Sequence, residues 1–209
     1  MASPTGEKPD VRTLIERQLR GPRRNFSRVR RELDELVDGN DPNILRDFVT
    51  MWGDGDAGVR FWSMTYAHPM LSDGVRADGL LERLEPRLSD AVPANKAMAM
   101  DIYATVHRWL PRPLTHLVVA NIGDTRVFTH HCAIRTLGRL GGEAAPYLPQ
   151  LLDALEVEDA QSVASISIKL LAPHIPVGLR AEVERRAMEH IDAEVRAQFA
   201  VAVKAWQGQ

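Results

Sequence analysis

Apolar residues along this chain recur at helical spacing. Leu80, Leu81, Leu84 and Leu88 form one such set, and Leu148, Leu151, Leu152 and Leu155 another. Steps of three and four residues place each set on one face of a helix. Helix breakers punctuate the pattern at Gly53 and Gly55, Pro111 and Pro113, Gly141 and Gly142, and Pro173 and Pro176. The spacing predicts six antiparallel helix pairs over roughly 10–38, 41–70, 75–110, 112–141, 144–173 and 177–207, the first being the least regular.

A longer period runs through the same pattern. Asp56, Asp90, Asp124, Glu158 and Asp192 stand 34 residues apart, and three of them open the motif Asp-x-x-Val, ending at Val59, Val127 and Val195. Two columns of this frame are apolar in every copy: Met64, Met98, Cys132, Ile166, Ala200, and Tyr66, Met100, Ile134, Ile168, Ala202. Both are expected in the core. A neighbouring column, Ala67, Asp101, Arg135, Lys169, Val203, mixes charges of both signs, as an exposed helix face does. An acid at the start of a second helix accepts bonds from the free amides of its first turn and complements the helix dipole, worth about 1 kcal/mol.

The segments DAGVR (56–60), DTRV (124–127), HCAIRTLGRLGG (131–142) and DAEVRAQFAVA (192–202) resemble HEAT repeats, and the stretch from Gly123 to Pro149 matches them best. In that family an Asp starts the second helix, followed by Val-Arg, small apolar residues and a Leu-Gly ending. The resemblance covers about 41–207 and implies an all-α fold, an α-solenoid of about six antiparallel helix pairs in a right-handed superhelical stack. The period also suits tetratricopeptide repeats, but their Trp and Leu-Gly-x-x-Tyr signature is absent. The expected organisation is a disordered leader over 1–9 and a single helical-repeat domain over 10–207. A basic helix pair at 10–38 precedes the repeats at 41–207.

Composition is that of a soluble globular chain, with 44% hydrophobic and 26% charged residues. The net charge of −2 hides an asymmetry: residues 1–31 carry nine Lys/Arg against three acids, which leaves the remainder at −8. Such a basic segment attracts nucleic acid or an acidic partner, or docks on the acidic body of its own chain. Cys132 is the single cysteine, so no intramolecular disulfide forms and a reducing, cytoplasmic location is the expectation. No apolar run approaches the roughly 20 residues that span a membrane.

Candidate chemistry is sparse. His130, His131 and Cys132 are adjacent, but consecutive side chains on a helix diverge by about 100°, so no metal site is expected. No glycine-rich phosphate loop and no catalytic triad are legible, so no cofactor and no enzymatic set are implied. The aromatic cluster Trp52, Phe61, Trp62, Tyr66 surrounds a Gly-Asp-Gly-Asp turn at 53–56. Its Trp52–Asp56 spacing resembles part of the active site of HEAT-like-repeat DNA glycosylases. That resemblance implies stacking of an alkylated base by Trp52, assistance to bond cleavage by Asp56, and phosphate contacts from Arg20, Arg23, Arg24, Arg28 and Arg31. The bland alternative packs the aromatics between helix pairs and makes Asp56 a helix cap. HEAT stacks place second helices on the concave side, so Arg60, Trp62, Asp101, Arg135, Arg139 and Lys169 are the expected binding surface. The leading expectation is a scaffold holding a protein or peptide partner there, with nucleic-acid binding as the alternative.

Overall fold

A computed structural model describes residues 10–190 and 192–207. Only the backbone is described for Arg24, Ala187, Gln198, Ala202 and residues 205–207, and the predicted leader at 1–9 lies outside the described residues. All regular structure among the described residues is helical, and it falls into the six expected pairs. The pairs are α1 (Val11–Arg20) with α2 (Phe26–Asp38), α3 (Pro42–Thr50) with α4 (Ala57–Ser72), and α5 (Leu80–Leu84) with α6 (Pro93–Val106). They continue with α7 (Thr115–Val119) and α8 (Val127–Arg139), α9 (Leu148–Asp153) and α10 (Gln161–Leu171), and α11 (Val177–Glu189) and α12 (Ala193–Gln207). Short 3-10 turns extend α5 and α9, where Pro86 and the Ala154–Glu156 stretch tighten the last turn. The chain groups into two compact units, residues 1–105 and 106–209.

Four of the 34-residue acids begin the second helices α4, α6, α8 and α12. Asp56 accepts from the Gly58 amide at 2.8 Å, Asp90 from Val92 at 2.9 Å, Asp124 from Arg126 at 2.9 Å and Asp192 from Glu194 at 2.7 Å. Each bond spans two residues, the reach of an Asp side chain folding back on its own backbone. Glu158 is exposed, and α10 starts without a side-chain cap. At the other end of α8, Gly141 takes φ of +60°, the left-handed conformation that lets a glycine end a helix.

In residues 1–105 the core gathers Leu14, Ile15, Phe48, Trp52, Met64 and Tyr103, all buried. Tyr66 stacks on Phe48 with ring centroids 6.0 Å apart and donates its hydroxyl to Gln18 Oε1 at 2.8 Å, joining α1, α3 and α4. Burial raises the pKa of the Tyr66 phenol. In residues 106–209, α10 packs between α8 and α12 around Ile134, Leu137, Ile168 and Leu171.

One predicted core column is corrected. The column of Tyr66, Met100, Ile134 and Ile168 is buried in every member whose side chain is described. The other column is not buried throughout: Met64 and Cys132 are buried, but Met98 is half-buried, Ile166 is 46% exposed and Ala200 is exposed. In α10 the buried positions flanking Ile166 are the small polar residues Ser165 (2% exposed) and Ser167 (1%). Gly138 of α8 supplies the reason. A Cβ on Gly138 would lie 2.7 Å from Ser167 Cα and 2.8 Å from its Cβ, so the two helices touch almost backbone to backbone. Only small side chains fit that seam, and the bulky isoleucine turns outward.

Candidate binding surface

The Trp52–Asp56 region is a structural junction. Trp52 is wholly buried, whereas a stacking platform for a base must be open. Asp56 caps α4 through the Gly58 and Val59 amides, and Arg20 Nη2 donates to it at 2.7 Å. The Arg20 bond and the two amides hold its carboxyl below the usual range. Arg12 Nη2 reaches Asp54 at 2.7 Å. The Asp54 carboxyl is also lowered, first by the Asp56 amide and then by Arg12. The glycosylase reading is not favoured by this geometry.

Arg60 serves the same junction. It donates through Nε and Nη2 to Asp90 at 2.9 and 3.1 Å, and through Nη1 to the carbonyls of Asp54 and Gly55 at 2.8 and 3.2 Å. Arg87 Nη1 adds a third bond to Asp90 at 2.8 Å. Asp90 is buried, and its desolvation alone raises its pKa. The bonds from Arg60 and the Val92 amide, with the nearby positive charges, more than offset that and leave it below the usual carboxylate range. Arg60 thus ties the second helix pair to the third.

The basic N-terminal pair spends several charges on its own chain. Besides Arg12 and Arg20, Arg28 pairs with Glu32 at 2.8 Å and Arg30 with Asp34 at 3.8 Å. Arg23 and Arg31 are exposed, and the Arg24 side chain lies outside the described residues. Trp62 is half-buried on α4, edge-on to Phe61 at 5.5 Å and stacked with Tyr66 at 5.9 Å. Asp101 is half-buried on α6.

The remaining predicted residues come together in the second unit. On α8 the exposed Phe128, Arg135 and Arg139 and the half-buried His131 fall at steps of three and four along one stripe, with Val127 exposed beside it at the start of the helix. On α10 Ser162, Ile166 and Leu170 are exposed, and Gln161, Val163 and Lys169 are half-buried. The Gly138–Ser167 seam fixes how these stripes relate. Each stripe lies immediately beside its seam residue, so the two are contiguous on one side of the helix layer. The first helices α7 and α9 pack on α8 and α10 in turn. Exposed Val201 and Lys204 follow on α12.

Two of these features are not legible from hydrophobic periodicity, which places Ile166 in the core and gives Phe128 and Leu170 no role. The sequence does carry a signal, since serines flank Ile166 on both sides, but it becomes readable only with the Gly138 contact.

A charged cluster on the α9–α11 side is internally satisfied. A cleft of about 540 Å³ between α9 and α11 is lined by Asp153, Glu156, Arg185, Arg186 and Glu189, among others. Its charges neutralise one another: Arg186 contacts Asp153 at 3.3 Å and Glu182 at 2.9 Å, and Arg185 contacts Glu182 at 2.7 Å. Bonds from Arg185 and Arg186 depress Glu182 to about 2. His130 donates from Nδ1 to the Ile122 carbonyl, which turns its ring toward the loop before α8. Among the described residues no helix is long and apolar enough to cross a membrane.

No protein-family model matches the chain, and no curated protein does. Solved structures do. A designed armadillo repeat protein superposes with a TM-score of 0.64 at 13% identity, covering 93% of this chain and 98% of the other. The chain is a helical-repeat solenoid. A second engineered protein superposes with a TM-score of 0.63 at 14% identity, covering 96% and 97%. At such identities the likeness concerns the path of the backbone alone, so function has to come from the residues the solenoid displays.

Proposed function

We propose that this solenoid is a binding module that holds a protein or peptide segment on the exposed faces of its second helices, α8 and α10 foremost. The repeat itself reads as HEAT-type, supported by two helices in each 34 residues and an aspartate at the entry of the second. The observation that carries the binding proposal is the inversion on α10, where serines are buried and Ile166 and Leu170 face solvent. With about half of each side chain in water, roughly 0.7–1.5 kcal/mol each of burial free energy is forgone, which a docked partner recovers. Repeat solenoids suit this role because each repeat adds one strip to an extended surface.

The test is selection of ligands from a random 12-residue peptide display library on the full chain. Enrichment of peptides that bind the wild type and not an Ile166→Ser/Leu170→Ser variant with an unchanged thermal melt supports the proposal. Failure to enrich any peptide, or equal binding by that variant, refutes it.

A further inference from the structure

Helix α11 carries the most exposed large apolar side chains among the described residues, Val177 at 77% and Met188 at 74%. Exposed Ala181 lies between them in the chain. At about 100° and 1.5 Å per residue, the three fall on a stripe about 40° wide and about 16 Å long. Arg186, which reaches Asp153 of α9 and Glu156 just after it, stands about 140–200° round the helix from each of them. The buried Val183 stands about 120–160° away. The stripe therefore turns away both from α9 and from the core. By contrast α1, also a first helix, exposes only Arg12, Arg17 and Arg20. Apolar side chains gathered on one bare edge, rather than scattered singly, mark a surface that another molecule covers.

We propose that this edge of α11 is a contact between two copies of the chain, packed antiparallel about a two-fold axis. The stripe is self-complementary, with its two large residues at the ends and the small one toward the middle. Antiparallel packing about a point between Glu182 and Val183 sets Met188 on Val177 of the second copy and Val177 on its Met188, the reciprocity a two-fold axis requires. Ala181, close to the axis, lets the two backbones approach to about 8 Å. The charges suit the same register. Within the chain Arg185 holds Glu182 and Glu189, and Arg186 holds Glu182, Asp153 and Glu156. Glu184, half-buried beside the stripe, engages no charged group among the described residues. Arg180 lies on the same flank, its Nε donating to the Ile175 carbonyl at 3.3 Å. Like flanks adjoin in an antiparallel helix pair, so each Glu184 meets Arg180 of the other copy, offset along the axis by about 1.5 Å. One helix against one helix covers less than the roughly 1,200 Å² at which stable complexes begin, so the dimer is weak and forms at high concentration. The proposal is independent of the binding-module reading, since no residue of α8 or α10 takes part.

Sedimentation equilibrium of the full chain at about 5–500 μM tests the contact. The weight-average mass should rise with concentration from the monomer toward the dimer. Met188→Glu should weaken the association at least about tenfold, because it sets a carboxylate against Val177 of the second copy. Glu184→Arg should weaken it too, by placing like charges together. Both variants should keep the wild-type thermal melt. Register is read by mixing Val177→Cys chains with Met188→Cys chains under mild oxidation, from which the buried Cys132 is shielded. The two should link to each other and neither to itself, because like residues stand about 16 Å apart across the axis, beyond the reach of a disulfide. A chain that stays monomeric at about 500 μM overturns the proposal. So does a dimer that Met188→Glu leaves intact, including one lost instead in Ile166→Ser/Leu170→Ser, which places the contact on the α8–α10 face. Self-linking of either cysteine chain as fast as cross-linking overturns the antiparallel arrangement.

Discussion

Gly138→Ala is the substitution for which helix propensity and packing point in opposite directions. In the middle of an unconstrained helix this change is stabilising by about 1 kcal/mol, since alanine restricts the unfolded chain and favours the helix. Here the new Cβ would lie 2.7 Å from Ser167 Cα, 2.8 Å from Ser167 Cβ and 2.9 Å from its Oγ. Ordinary carbon contacts lie at about 3.5–4.0 Å, so the overlap is close to 1 Å. The nearest atom belongs to the backbone, and no rotamer change removes it. Helices α8 and α10 must move apart, and a gap of that size forfeits a quarter to a half of each contact along the seam. Overpacking of this kind costs roughly 1–3 kcal/mol and the lost contacts add to it, leaving a net destabilisation of about 1–3 kcal/mol after the propensity gain. For a cooperative unit of about 100 residues that corresponds to a fall in Tm of roughly 10 °C, read by circular dichroism at 222 nm. Ser167→Gly in the same background should restore only part of the loss, because the Cα remains. Gly178→Ala is the control: nothing lies within 4 Å of its new Cβ, so it should be neutral or slightly stabilising. If Gly138→Ala melts at or above the wild-type temperature, the backbone-to-backbone seam is wrong, and the explanation for the outward Ile166 goes with it.

Two further expectations follow from the same geometry. Asp90→Asn should destabilise residues 1–105 by about 2–4 kcal/mol in urea, because it leaves Arg60 and Arg87 facing an amide in a largely desolvated site. Since the folded-state pKa of Asp90 lies below its unfolded value, its contribution is complete above the unfolded pKa near 4 and is lost as pH falls through the lower folded value. Wild type should therefore lose more stability than the Asn variant between about pH 5 and pH 2, and parallel curves would contradict the pairing. On α10, Ile168→Asp should unfold the second unit by burying an unpaired charge, while Ile166→Asp should change stability by less than about 1 kcal/mol. Equal urea midpoints for the two variants would show that the helix is rotated from the orientation described.

The sequence conveyed the helices well and the display surface poorly. The spacing of apolar residues located all six pairs because each helix buries one face whatever its neighbour is. The acids at 56, 90, 124 and 192 were legible as caps because a cap is a local interaction, complete within three residues. Ile166 was misplaced because hydrophobic periodicity takes bulk as evidence of burial. In the α8–α10 seam the controlling quantity is the distance between backbones, which depends on Gly138, 28 positions away. Arg60 was expected on a binding surface for a related reason. Its partner Asp90 is 30 residues distant, and one sequence does not reveal that the two are paired. Trp52 looked like chemistry because of its spacing to Asp56, yet that spacing also follows from a core residue ending one helix and a cap starting the next.

The capping bonds bear on how such a chain can change its length. Asp56, Asp90, Asp124 and Asp192 each close their own loop with an amide two residues on, so a 34-residue block carries its own punctuation. Asp56 and Asp90 also accept from an arginine of the preceding pair, Arg20 and Arg60. At those two joints the neighbours are matched to each other, so duplication or loss of a block there removes a charge pair as well as a repeat.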